Sequence, residues 1–267
     1  MTERVRLIVA YDGTDFRGWA ANPGQRTVQG TLKDAVRQAS GEDCEVVGAS
    51  RTDSGAHARG QVCHFDSARG IPADRWAEVL NRVLPRDVRV LESRRVPELF
   101  HSRFCARWRH YRYRILTGGP DPFRERWAFR FGRPLDVDAM RRAAADLVGE
   151  HDFRAFSEEL KGEGNTVRTL FRVEVAPVRD EVRVDVVGTA FVKGMMRRIA
   201  GFLLEVGKGQ RPPAHAGILL SSGDWERLTW PLVLPARGLT LMRVSYGRHL
   251  RDVRLAAPQQ QHSIETD

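Results

Sequence analysis

The hydrophobic period of this chain changes in a fixed order, and the order occurs twice. A period of two over residues 5–11 predicts a strand. A helical stripe follows over residues 28–40, with Val28, Leu32, Ala35, Val36 and Ala39 on one face and Thr27 at the N-cap. Strand-like runs over residues 44–49 and 61–65 come next. Residues 73–84 then read as a helix buried through Trp76, Val79, Leu80 and Val83, bounded by Pro72 and Pro85, and residues 88–96 return as a strand. The second half runs through the same series. It has a strand over 110–116, and a helix over 137–148 with Val137, Met140, Ala144, Leu147 and Val148 on one face. A hairpin of 169–178 and 181–187 turns at Arg179 and Asp180, and a helix over 191–205 and a strand over 239–246 complete the series. An insertion with Pro212 and Pro213 and a short helix near Ile218 precede that last strand. The order β-α-β-β-α-β is the ferredoxin-like arrangement. The expected fold is therefore α+β, two tandem ferredoxin-like units over residues 1–105 and 106–255, with a polar, disordered tail over 256–267. A cleft between such units is where a ligand site is expected.

The connection between the two central strands of the first unit carries the densest chemistry. Residues 48–58 place Asp53 between Arg51 and Gly55, after the β-branched pair Val46 and Val47 and before an alternating run. Glycine permits torsions closed to other residues and a close approach of main chain to a ligand. A carboxylate beside a fixed guanidinium stays ionised and can act as a nucleophile. The same residues also read as an ordinary turn with a capping aspartate, or as a loose surface ion pair.

Two places in the second half invite the same double reading. Alternation along residues 110–116 puts Tyr111, Tyr113 and Ile115 on one face and Arg112 and Arg114 on the other, which makes either a core aromatic ladder or a working tyrosine. Arg197 shares a helical stripe with Gly194 and Gly201. Glycine costs a helix about 1 kcal/mol against alanine, so two on one stripe imply that something packs there very closely. The plainer reading is a solvated arginine next to Arg198.

Composition narrows the partner. The 267 residues carry a net charge of +9, and lysine stands only at Lys33, Lys161, Lys193 and Lys208, so the positive charge is mostly arginine. Guanidinium binds phosphate in a bidentate fork, which suits a phosphate-rich partner, although an arginine-rich genome would leave the same mark. Cys44, Cys63 and Cys105 are odd in number and far apart, which argues against a disulfide framework or zinc site and for a reduced, cytoplasmic setting. Met1 to Arg6 lead into a strand-like run rather than a signal-peptide core, and no apolar run reaches membrane-spanning length. Residues 206–210 lack the spacing of a phosphate loop, and His57, Cys63 and His64 lack a recognised metal-ligand spacing, so no metal or other cofactor is expected.

RTDSGAHARGQV, residues 51–62, resembles the RTDxGVHAxGQV signature of the bacterial tRNA pseudouridine synthase A family. Further matches run in order along nearly the whole chain. They include Tyr11 to Thr14 with Phe16, Gly18 and Trp19; Thr27 to Gln29; Asn81, Leu84, Pro85 and Asp87; Phe100 to Phe104; Tyr111 and Tyr113; His151 to Phe153; Phe191, Met195 to Arg197 and Gly201; and Gly238, Leu239, Val244 and Tyr246. The resemblance implies the pseudouridine synthase fold and an isomerase acting on uridines 38, 39 and 40 of the tRNA anticodon stem-loop. It implies Asp53 as nucleophile and Arg197 as its ion-pair partner. Tyr111 stacks on the flipped uracil and is the candidate base at C5, while Tyr113 packs. Arg51 helps displace the extruded base, and His57, Gln61 and Arg103 are the other substrate-binding positions. The family works as a homodimer that reads tRNA shape and uses no cofactor. The chain departs from the family at Ala20, Ala21 and Asn22, at Ala56, and at Lys193 and Gly194. None of these touches Asp53, Tyr111 or Arg197, so they bear on which nucleotides are modified. Two alternatives are a pseudouridine synthase with another RNA target and a non-catalytic RNA-binding protein.

Overall fold

The computed structural model describes residues 2–158, 164–221 and 229–247; the expected tail over 256–267 lies outside the described residues. The first half contains β1 (Glu3–Tyr11), α1 (Val28–Ser40), β2 (Val47–Gly48), β3 (His57–Ser67), α2 (Trp76–Val83) and β4 (Val88–Val96). The second contains β5 (Trp108–Leu116), β6 (Phe129–Arg130), α3 (Val137–Ala145), β7 (Gly149–Asp152), β8 (Val167–Val178), β9 (Glu181–Gly188), α4 (Met195–Gly207), α5 (His215–Ser221) and β10 (Leu239–Ser245). α1 starts where the sequence places it because the Thr27 hydroxyl accepts a hydrogen bond from the Gly30 N–H.

β3 is longer and α2 shorter than expected, β6 and β7 are additional strands, and three further differences each have a local reason. The strand expected over 44–49 shrinks to β2, because the Val46 carbonyl is taken by the Gln29 side chain at 2.7 Å instead of a neighbouring strand. The helix expected from residue 191 begins at Met195, after Gly194 turns the backbone left-handed at φ 75°. α3 stops at Ala145, and Val148, expected on its buried face, is largely exposed in the turn that follows.

Among the described residues the strands form one ten-stranded mixed sheet in an α+β fold. Its order is β4-β1-β3-β10-β5-β9-β8-β7, with β2 added on β3 and β6 on β5. Every pairing is antiparallel except β3 with β10 and β5 with β6. The β3–β10 seam joins the two halves through only two residue pairs, Thr240 with His57 and Leu241 with Ala58. On its other side Leu241 lies opposite Tyr111 of β5. Tyr111 is thus two strand spacings, roughly 10 Å, from the end of the Asp53 loop. Buried residues of both halves make one continuous hydrophobic cluster.

The alternation of β5 works as the sequence implies. Tyr111, Tyr113 and Ile115 are buried, while Arg112 and Arg114 on the other face pair with Asp185 and Glu181 of β9 at 2.9 and 2.7 Å. Glu181 also accepts from Arg183 at 2.7 Å and Arg124 at 3.3 Å. Burial alone would push the Glu181 carboxyl up, but hydrogen bonds and positive charge from Arg114 and Arg183 outweigh it and bring the pKa from 4.5 to about 2. A carboxyl that is more acidic folded than unfolded adds stability that is complete above its unfolded pKa and lost as the pH falls through the folded one. The urea midpoint should therefore decline between pH 4.5 and about 2. Glu181→Gln should lower the midpoint at pH 7 and flatten this acid decline; parallel curves for the two proteins would remove Glu181 from the acid response.

Candidate active site

The loop from Ala49 to Ala56 is held from below at nearly every residue. The Gln61 side chain donates to the Ser50 carbonyl at 2.7 Å, and the Trp19 N–H donates to the Thr52 carbonyl at 3.1 Å. The Thr52 and Tyr11 hydroxyls are 2.7 Å apart, and the Gly55 N–H donates to the Phe16 carbonyl at 3.2 Å. Gly55 completes the turn at φ 81°, a conformation that other residues rarely adopt. These bonds pin the loop and leave the Asp53 carboxylate at the cleft, about a quarter exposed.

His57 and Gln61 were expected to bind substrate; the structure buries both, and neither lines the cleft. Gln61 supports Ser50. His57 accepts from the Gly13 N–H at Nδ1, 3.0 Å, so its proton sits on Nε2, 3.1 Å from the Arg237 carbonyl. Burial pushes the His57 pKa down and keeps the ring neutral. Their geometry is that of positioning residues beneath the loop.

Arg197 reaches the loop from α4. Its Nη1 lies 3.2 Å from Asp53 Oδ2 and 3.1 Å from Glu158 Oε1, and its Nε donates to the Leu234 carbonyl at 2.7 Å. The close packing implied by the glycine stripe is real. A Cβ at Gly201 would stand 1.8 Å from the Leu232 carbonyl oxygen, so the chain before β10 crosses α4 there. That crossing sets the Leu234 carbonyl over Arg197. One residue further on, the Pro235 carbonyl accepts from the Tyr113 hydroxyl at 2.6 Å. An ion pair this near solvent adds only about 1 kcal/mol to stability, so its main effect is orientation.

Tyr111 is buried, and its ring meets the edge of Phe191 with centroids 4.9 Å apart at 74°. Burial pushes its hydroxyl pKa up, against a hydrogen bond with Ser50 and the charge of Arg109, while the Asp53 charge pushes it further up. The hydroxyl stays protonated at neutral pH. Tyr113 is fully enclosed.

Asp53, Tyr111 and Arg197 line one cleft of about 750 Å³. Five further cations face it, Arg51, Arg103, Arg109, Arg168 and Lys193, against one further carboxylate, Glu45. Arg51 and Arg103 are exposed and line it. Sequence reasoning missed Glu158 and Arg109. Arg109 is nearly buried and ties down the cleft wall through the Thr189 and Arg103 carbonyls, at 2.6 and 2.9 Å. Ala20, Lys193 and Gly194, three of the departures from the family pattern, also line the cleft.

A carboxylate aimed by a guanidinium, next to a buried tyrosine and in a cleft rich in cations, is the equipment of an enzyme that acts on a nucleic acid. The chain belongs to the tRNA pseudouridine synthase family, which it matches over residues 7–105 and 143–247. It is 44% identical over 246 residues to the tRNA pseudouridine synthase A of Brevibacillus brevis, covering 91% of this chain and 100% of that one. It is 45% identical over 247 residues to that of Frankia casuarinae, covering 91% and 89%, and 42% identical over 226 residues to that of Halalkalibacterium halodurans, covering 84% and 86%. Among solved structures, a chain of an archaeal box H/ACA sRNP Nop10–Cbf5 complex resembles it at a TM-score of 0.32 and 11% identity, over 74% of this chain and 53% of that one.

Lysine at position 197 would keep the charge but has one nitrogen where arginine serves Leu234, Asp53 and Glu158 from two. Arg197→Lys should slow single-turnover pseudouridine formation by about a hundredfold with a modest loss of tRNA affinity. A rate within about twofold of wild type would mean that the pairing contributes nothing to catalysis.

Proposed function

We propose that this chain isomerises uridine to pseudouridine at positions 38, 39 and 40 of the tRNA anticodon stem-loop, with Asp53 as the nucleophile. The observation that carries the reading is the contact of Asp53 with Arg197 inside a cation-lined cleft that also holds Tyr111. The reaction breaks the bond from uracil N1 to the ribose, turns the base, and joins C5 to the same ribose carbon. The C5 proton leaves and N1 gains one, so there is no net redox change, and the route uses only the chain's own side chains.

Arg197 holds the Asp53 carboxylate aimed into the cleft. Tyr111 receives the face of the flipped uracil, and its hydroxyl takes part in moving the C5 proton. Because that hydroxyl is protonated at rest, with Ser50 as its hydrogen-bonded neighbour, it can take the C5 proton only after its own proton has gone to N1, which gains one in the reaction. Arg51 fills the space left by the extruded base, whose unstacking costs a few kcal/mol. Arg103 contacts the RNA from the rim.

We also infer two tandem ferredoxin-like units, meeting near residue 105. The local orders β4-β1-β3-β2 and β10-β5-β9-β8 support this. From the family resemblance we infer a homodimer acting on tRNA in the cytoplasm; among the described residues, no helix is long and apolar enough to cross a membrane.

The test is release of tritium from tRNA labelled at uracil C5. The wild-type protein should release it to water as pseudouridine forms, and Tyr111→Phe should bind tRNA normally but release it about a hundredfold more slowly. Binding by the wild type without release would make the chain an RNA-binding protein. Release by Tyr111→Phe at the wild-type rate would leave Tyr111 as a stacking surface only.

A further inference from the structure

Phe104 is 77% exposed at the cleft, yet one side of its ring is backed. The His101 ring lies against it with centroids 4.3 Å apart and planes 31° from parallel, covering one side. His101 is itself fixed, since its Nδ1 accepts from the N–H groups of Arg103 and Phe104, both at 3.2 Å. Behind it the ring of His64 stands 5.1 Å away, followed by Phe100 and Tyr246. The turn is closed by the Cys105 N–H donating to the His101 carbonyl at 2.9 Å. Buried Ser102 anchors it, donating from Oγ to the Val47 carbonyl at 2.6 Å and accepting at its own carbonyl from the Tyr246 hydroxyl at 2.7 Å.

A single exposed phenylalanine needs no explanation. This one has a rigid backing on one side, lines the same cleft as Asp53, and has the Arg103 guanidinium 5.9 Å from its ring. A flat apolar face beside a cation matches a ligand that alternates rings with phosphates. Unpaired nucleobases stack on such faces whatever their identity, because every base has a π-face.

We propose that Phe104, backed by His101, is a stacking shelf for a second unstacked base of the RNA, flanking the nucleotide that enters beside Asp53, with Arg103 meeting the adjoining phosphate. This rests on the function proposed above. The shelf holds the RNA open on one side of the target and tolerates any base, so it adds affinity and register without a sequence requirement.

The test is a cycle between protein and RNA. Full-length substrate tRNA would carry one abasic nucleotide at a time through the unpaired positions flanking the modified uridine. Binding and single-turnover pseudouridine formation would be measured with wild type, Phe104→Ala and Phe104→Trp. At one position the missing base should weaken wild-type binding about tenfold. Phe104→Ala should bind intact tRNA about tenfold less tightly and lose nothing further at that position, whereas Phe104→Trp should behave as wild type. Losses that simply add in Phe104→Ala, or intact binding by that variant, would overturn the shelf while pseudouridine formation by the wild type leaves the function standing. Absence of pseudouridine from the wild-type reactions would overturn both.

Discussion

β10 and the ten residues leading into it do more to assemble this site than any other stretch. The Leu232 carbonyl rests on α4 where Gly201 offers no side chain. The next carbonyls hold Arg197 and the Tyr113 hydroxyl, and the Arg237 carbonyl meets the buried ring of His57. β10 then pairs with β3 on one side and β5 on the other. Ahead of the register shift between Leu241 and Arg243, this strand and its lead-in therefore fix together the base of the Asp53 loop, the strand of Tyr111 and the guanidinium that joins them. A one-residue slip would turn every side chain of β10 to the opposite face, so this register is strongly specified.

The electrostatics follow from that geometry. Arg197 offers one nitrogen to two carboxylates, Asp53 and Glu158, and the trio carries net negative charge. A bare site of that kind would repel a polyanion. Arg51, Arg103, Arg109, Arg168 and Lys193 around it reverse the balance. The cleft thus favours phosphate at its walls while the Asp53 carboxylate sits at its floor. Contacts of this kind displace counterions from RNA, so affinity falls steeply as salt is added.

Much of this was legible in the sequence, and the failures share a cause. α1 and β4 match their expected bounds because capping and periodicity are local signals. The loop of Asp53, the tyrosine face of β5 and the close approach at Gly201 were visible for the same reason. His57 and Gln61 sit in the same motif as Asp53, but motif position does not say which side of a loop a side chain takes, and both point inward. Glu158 lies 39 residues from Arg197 and the Leu234 carbonyl 37, with no periodic signal linking them. A backbone carbonyl has no residue identity to read at all. The start of α4 was misplaced because Phe191 continues the helical stripe, whereas Gly194 turns the chain first and leaves Phe191 free to meet Tyr111.

The proposed reaction depends on Asp53 acting as a nucleophile, and replacing it with asparagine tests that most directly. The amide keeps the shape, and the Arg197 guanidinium can still donate to its oxygen, but it cannot attack. With saturating enzyme and C5-tritiated tRNA, Asp53→Asn should release no tritium above background while binding tRNA within about threefold of wild type. Release at close to the wild-type rate would contradict the assignment and the reading of the cleft built on it.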